Sequence, residues 1–304
     1  MEVKVDVERN SVGFYQTKDR LKREQRHLLL KRFFSNKLAI TGGIITLLLT
    51  VIAIFAPFIA TQNPYEMVVV NKLQGPSINH WFGTDNFGRD LFSRVVYGTQ
   101  VSMKVGFLVA LITGILGTII GLYASYYSFL DGILMRFCDA MMAFPAILLA
   151  IAIMAALGPT ITNVVISISV VYTPYVARVV RSSALVIREQ TYIEAMIAQG
   201  ASSSRIIWRH MAINTMSPLI VQVTFIFAEA IILEAALSFL GVGVPAPDPT
   251  WGNILFDGKL FIFNAWWLTV FPGVFMILSV LGLNLFGDGL RDLLDPTGSK
   301  GKKK

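Results

Sequence analysis

An all-α protein with six membrane-spanning helices is what the sequence predicts, on three observations. Hydrophobic residues make up 54% of the 304 and charged residues only 15%, where a soluble domain carries about 25% charged residues. The apolar residues fall in blocks, each close to the roughly 20 needed to cross a bilayer as a helix. The basic residues collect between alternate blocks, the pattern of the positive-inside rule.

The elements follow in order. Residues 1–37 form a basic segment with ten Lys and Arg, much longer than the charged region of a cleavable signal peptide. The first span is 38–60, and an outer segment runs over 61–100. The second, third and fourth spans are 101–123, 132–157 and 161–187. An inner loop over 188–216 leads to the fifth span at 218–242. A second outer segment, 243–264, leads to the sixth span at 265–287. Residues 101–290 read as one five-helix core containing the inner loop, and 291–304 as a basic tail. With both termini in the cytoplasm, 21 of the 26 Lys and Arg lie inside. Lys72, Arg89, Arg94 and Lys259 fall outside, and Lys104 begins the second span. The net charge of +7 thus points to topology and anionic lipid headgroups rather than to nucleic acid.

Within the outer segments, the aromatic, glycine and charged residues of NHWFGTDNFGRDLFSRVVYGTQ suggest a short helix lying at the interface. That reading puts Trp81, Phe82 and Tyr97 at headgroup depth. Pro245, Pro247 and Pro249 exclude a helix where they stand, and Trp251, Trp266 and Trp267 fit an outer aromatic belt. Inside the spans, Gly106, Gly114, Gly117 and Gly121 allow close helix approach, the last two as a GxxxG pair. Pro145 and Pro174 predict kinks in the third and fourth spans.

Charges inside the membrane are costly unless paired or facing water, and a carboxylate can also be protonated. Arg136 and Asp139, three residues apart, share a face and can pair with each other. Glu229 and Glu234, five apart, point about 140° from one another around the helix. Either can line a pathway. Glu234 is the stronger candidate for the pathway or a subunit interface, with a hydrogen bond to a neighbouring helix or a place near the outer headgroups as its alternatives. Cys138, the single cysteine, permits no intrachain disulfide. His27, His80 and His210 have no metal-ligand spacing, and no nucleophile–base constellation stands out. No GxxxxGK[ST] phosphate loop occurs, so the expectation is a chain that is not an enzyme and binds no cofactor itself.

The inner loop carries the most specific signal. In EAMIAQGASSSRIIWRHMAIN, Ile193, Met196, Ile197 and Gly200 share one helical face. Gly200 then stops the helix. Ser202, Ser203 and Ser204 can cap a second one, whose apolar residues are Ile206, Ile207, Trp208 and Met211. A helix, a blunt Gly200–Ala201–Ser202 tip and a second helix suit docking better than mere connection.

This segment resembles the "EAA" loop of ABC-importer permeases. Glu194, Ala195 and Gly200 match that pattern at the right spacing. Met196 replaces its second alanine, and Met211-Ala212-Ile213 replaces its usual Ile-Leu-Pro exit. HWFGTDNFGRDLFSRVVYG (80–98), DAMMAFPAILLAIAIMAALGP (139–159), ILEAALSFLGVGVPAPDPTWGNIL (232–255) and GDGLRDLLDP (287–296) resemble the C-type permeases of dipeptide, oligopeptide and nickel importers, the DppC/OppC family. The resemblance implies the type I ABC importer permease fold and peptides as cargo, with nickel or oligosaccharides as alternatives in the same class. It implies a related B-type permease as partner, two ATPase subunits holding ATP and Mg beneath, and an extracytoplasmic solute-binding protein above. Glu194, Ala195, Gly200, Ala201, Ser202 and Arg205 would then dock an ATPase subunit. An ion-coupled secondary transporter is the rival class; it would show two repeated halves with broken helices.

Overall fold

The computed structural model describes residues 34–294; the basic amino-terminal segment up to residue 33 and the tail from 295 lie outside them. Among the described residues every regular element is helical, apart from one isolated bridge between Thr84 and Asp90. Five helices are long and apolar enough to cross a membrane, or six if one sharply bent pair counts as a span.

Helix α1 (Lys37–Ile54) starts where Asn36 Oδ1 accepts the Leu38 and Ala39 amides at 3.0 and 3.2 Å. A short turn of helix, α2 (Ala56–Ile59), follows. Helix α3 (Leu91–Tyr126) has 36 residues, about 54 Å at 1.5 Å per residue, so it outruns a hydrocarbon layer of roughly 30 Å. No separate interfacial helix precedes it: Leu91 to Tyr97 are its first two turns. Asp90 caps it, Oδ2 accepting the Ser93 amide at 2.9 Å. No proline separates this polar start from the apolar remainder and the helix continues through Gly98, so the hydropathy boundary near Val101 is not a helix boundary.

The third span departs further from expectation. It is two helices, α4 (Ser128–Met142) and α5 (Ala146–Leu157), bent by 95° at Ala143–Pro145. Proline lacks an amide hydrogen and drives the residue before it out of helical conformation. Pro145 therefore ends one helix and caps the next. Pro174 has no such effect in α6 (Ile161–Arg188), which continues through it. Two short helical pieces, described below, connect α6 to α10 (Met216–Phe239). Then come α11 (Trp251–Gly258) and α12 (Trp267–Leu294).

Small residues set the helix contacts. A Cβ on Gly117 would lie 2.5 Å from Val176 Cβ, and one on Gly121 would lie 2.6 Å from the Ala177 carbonyl oxygen. These two glycines let α3 and α6 touch at backbone distance, as their spacing predicts. Gly42 and Gly289 do the same for α1 against α12. One apolar core joins α3, α5, α6 and α10; a second joins α1, the start of α3, α10, α11 and α12. Trp251 and Trp267 are buried in the second core rather than forming an outer belt; Trp266 is the exposed one of the three. Phe82 is likewise drawn inward, stacked on Phe271 at 3.9 Å.

The molecule has two unlike ends. One carries the connection from α6 to α10. The other carries residues 61–90 and 241–266, tied together by buried charge. Asp85 folds its own loop, Oδ1 accepting the Phe87 and Arg89 amides at 2.8 and 2.9 Å. Arg89 bonds Asp85 at 2.5 Å and Asp257 of α11 at 3.0 Å. Arg94 adds a contact to Asp85 at 3.5 Å.

Candidate functional site

The connection from α6 to α10 is ordered throughout. Helix α7 (Thr191–Ala198) ends in a motif that uses both of its last turn's free carbonyls: Gly200 N donates to Ile197 O at 2.9 Å, and Ala201 N to Met196 O at 3.0 Å. This arrangement needs a left-handed residue just past the helix, and Gly200 supplies it with φ +78°. The apolar contact that accompanies the motif is present too, Met196 and Ala201 both packing on the main core. A second helical piece begins with α8 (Ser203–Arg205), widens into a π-helical stretch (Ile206–Met211) and ends in α9 (Ala212–Asn214). In a π-helix residues i and i+5 stack. Ile206 and Met211 accordingly share the buried side with Ile207, while Trp208 is exposed.

Ile193, Ile206, Ile207 and Met211 therefore pin the element to the bundle. Glu194, Ala195, Gly200, Ser202 and Arg205 are exposed on it, and Ala201 is half-buried. Ile197 is exposed and does not share the buried face of Ile193. Ser202 stands at the cap position of the second piece, but its side chain makes no capping bond. Ser203 is used differently: its hydroxyl accepts from Tyr126 at 3.2 Å. A Cβ on Gly200 would meet nothing within 4 Å.

The end of α3 supports this element, a role the sequence reading missed. Arg188 Nη1 donates to the Ser125 carbonyl at 2.8 Å and lies over the Tyr126 ring. Tyr123 and Trp208 meet edge to face. The signal available in the sequence was a tyrosine cluster, Tyr123, Tyr126 and Tyr127, closing an apolar span.

The charges inside the spans pair otherwise than expected. Asp139 bonds Arg178 of α6, not Arg136 of its own helix. Asp131 takes a two-pronged contact from Arg181 at 2.5 and 2.6 Å. A planar guanidinium reaching across from a second helix meets a carboxylate with better geometry than a neighbour three residues away. Arg136 is exposed on α4. Glu234 does not line an open surface: it is 0% exposed, and its carboxyl oxygens accept from Ser102 and Ser238 at 2.8 Å each. The alternative reading, a hydrogen bond to a neighbouring helix, is the observed one. Glu229 is exposed on α10.

Residues 114–299 match the family of binding-protein-dependent transport system inner membrane components. The chain belongs to that family. Residues 25–76 match in addition the N-terminal TM domain of oligopeptide transport permease C. The chain is 49% identical over 271 residues to a putative peptide transport system permease protein of Brucella suis biovar 1, covering 89% of this chain and 90% of that one. It is 49% identical over 267 residues to the dipeptide transport system permease protein DppC of Alkalihalophilus pseudofirmus, covering 88% of each. It is 43% identical over 274 residues to the glutathione transport system permease protein GsiD of an Escherichia coli O6 strain, covering 89% and 90%. The family match starts within α3 and takes in the whole element between α6 and α10. This transport-system component is thus a multi-pass membrane permease.

Proposed function

We propose that this permease is one of two membrane subunits of an ATP-driven importer of peptides, coupled through residues 189–215 to ATPase subunits. Both termini are then cytoplasmic, a B-type permease completes the pathway, and an extracytoplasmic binding protein delivers cargo to the opposite end. ATP and Mg belong to the ATPase subunits, since this chain lacks a phosphate loop. Peptides are the cargo favoured by the relatives, which are named for peptides, dipeptides and glutathione.

The observation that carries the coupling reading is the Gly200 tip. It is closed by its own hydrogen bonds, anchored by buried residues behind, and faces open space in front. A groove on an ATPase subunit could seat Glu194, Ala195, Gly200, Ala201, Ser202 and Arg205 together. Because α6 and α10 run directly from the element, its displacement would tilt both helices as rigid bodies.

Two variants separate docking from folding. Gly200→Ala and Gly200→Arg both force a side chain into a left-handed conformation, at about 1–2 kcal/mol. The Cβ that both add meets nothing within 4 Å. Purified with its partners, the alanine variant is expected to retain ATPase recruitment and the arginine variant to lose it, at equal thermal stability. Normal recruitment and substrate-stimulated hydrolysis in the arginine variant would reduce the element to a connector.

A further inference from the structure

The ion pair between Asp139 of α4 and Arg178 of α6 is not sheltered by the chain that makes it: the two side chains are 59% and 52% exposed. Arg178 stands ten residues from the Arg188 end of α6 and seventeen from Ile161, about 15 Å along a helix of about 42 Å. A hydrocarbon layer of roughly 30 Å centred on that helix would begin about 6 Å from either end, so the pair lies within its depth. Charges at that depth face a water-filled space or another protein, not lipid.

The backbone beside the pair points the same way. Asp139 is three residues from the end of α4, and Ala143, Phe144 and Pro145, which make the 95° break before α5, are all exposed. Irregular backbone at membrane depth is tolerated only where protein buries it or it lines water. An exposed ion pair and an exposed helix break on one stretch of surface fit the wall of a water-filled pathway.

The chemistry of the pair is complementary to the two ends of a peptide. The Asp139 carboxylate sits in the last turn of α4, whose dipole also favours a cation, and suits an ammonium. The planar Arg178 guanidinium suits a carboxylate, which it can hold by two parallel bonds. Both groups are present on every unblocked peptide, whatever its side chains. We propose that a transported peptide opens this ion pair on its way through, its ammonium passing to Asp139 and its carboxylate to Arg178. This rests on the peptide-import reading above. The exchange replaces one ion pair by two, so no charge is left unpaired at that depth. Arg178 belongs to α6, which emerges from the proposed docking element, so a tilt of α6 against α4 would change the gap that the peptide bridges.

A thiol placed beside the pair tests water access and binding together. Cys138→Ser leaves a chain free of thiols, and Ala143→Cys adds one at the exposed break, one turn from Asp139. In the whole complex in proteoliposomes, with the binding protein and ATP, this thiol is expected to react with a charged methanethiosulfonate reagent, and saturating dialanine is expected to slow the reaction. A thiol that stays unreactive at rest and during turnover would place the break against the partner permease and overturn the proposal. So would a reaction that dialanine leaves unchanged. Asp139→Asn combined with Arg178→Gln keeps hydrogen-bonding side chains but removes both charges. It is expected to lower dialanine uptake per folded complex about tenfold, the size of one charged hydrogen bond, with thermal stability and ATPase recruitment intact. Unchanged uptake per folded complex would reduce the pair to a clasp between two helices. If the unsubstituted complex carries no dialanine, the peptide reading itself fails, and that failure is visible before any residue is changed.

Discussion

Ser102 of α3 donates its hydroxyl to Glu234 of α10 at 2.8 Å, in a contact with no exposure to solvent. The other carboxyl oxygen receives Ser238, whose oxygen accepts the Val244 amide at 3.2 Å. Gly243 and Gly252 close over this serine so tightly that a Cβ on either would fall within 2.7 Å of it. Glu234 thus fastens the turn after α10 to α3, and its value is structural. Glu234→Ala should strand two buried hydroxyls and open a void, costing about 2–4 kcal/mol. Glu234→Gln keeps an acceptor and should cost about 1 kcal/mol. Thermal unfolding of the purified complex measures both. Transport per folded complex should be unchanged in the glutamine variant; its loss at normal stability would return Glu234 to the pathway.

The all-helical class and the number of apolar blocks were legible because hydropathy is a property of segments, and Gly117 and Gly121 announced a close crossing by their spacing alone. Pairings across helices were not legible. Nothing in the local sequence distinguishes Arg136 from Arg178 as the partner of Asp139; the choice depends on where α4 lies after the 95° bend at Pro145. The glycine tip at Gly200 was readable as a helix stop, since only a left-handed residue closes such an end. The support from Tyr126 and Ser125 was not, because it joins segments more than sixty residues apart.

Arg89 is the hinge pin of the opposite end, since it alone bonds both Asp85 in the loop and Asp257 on α11. Arg89→Met would leave Asp85 buried with its two backbone amides but only the longer contact from Arg94 as an ion pair, and should cost about 3 kcal/mol. Asp257→Asn should be mild. Burial raises the Asp257 carboxyl above its ordinary range, outweighing the nearby Arg89, so the neutral form is already well tolerated. The sign follows: a raised carboxyl favours the folded state at acid pH, and that contribution is lost as pH climbs through the raised value. Hydrogen exchange at residues 84–90 and 251–258 should therefore show protection declining over that window, and the decline should vanish in Asp257→Asn. An unchanged slope in the variant would assign the titration to another group.

Arg188 decides whether α3 takes part in coupling. Its guanidinium holds the Ser125 carbonyl at 2.8 Å and covers Tyr126, which in turn bonds Ser203 in the proposed docking element. Losing the charged hydrogen bond should cost about 1.5 kcal/mol, roughly a tenfold rise in the open population of the element. Arg188→Met should thus lower amide protection across residues 191–214 about tenfold. If α3 braces the element against the ATPase subunits, hydrolysis should continue in this variant while transport per ATP falls, because the stroke is absorbed by the loosened joint. Tyr126→Phe removes only the neutral bond to Ser203 and should do much less. Full transport per ATP in Arg188→Met, with exchange raised as expected, would show that α6 and α10 carry the movement without α3.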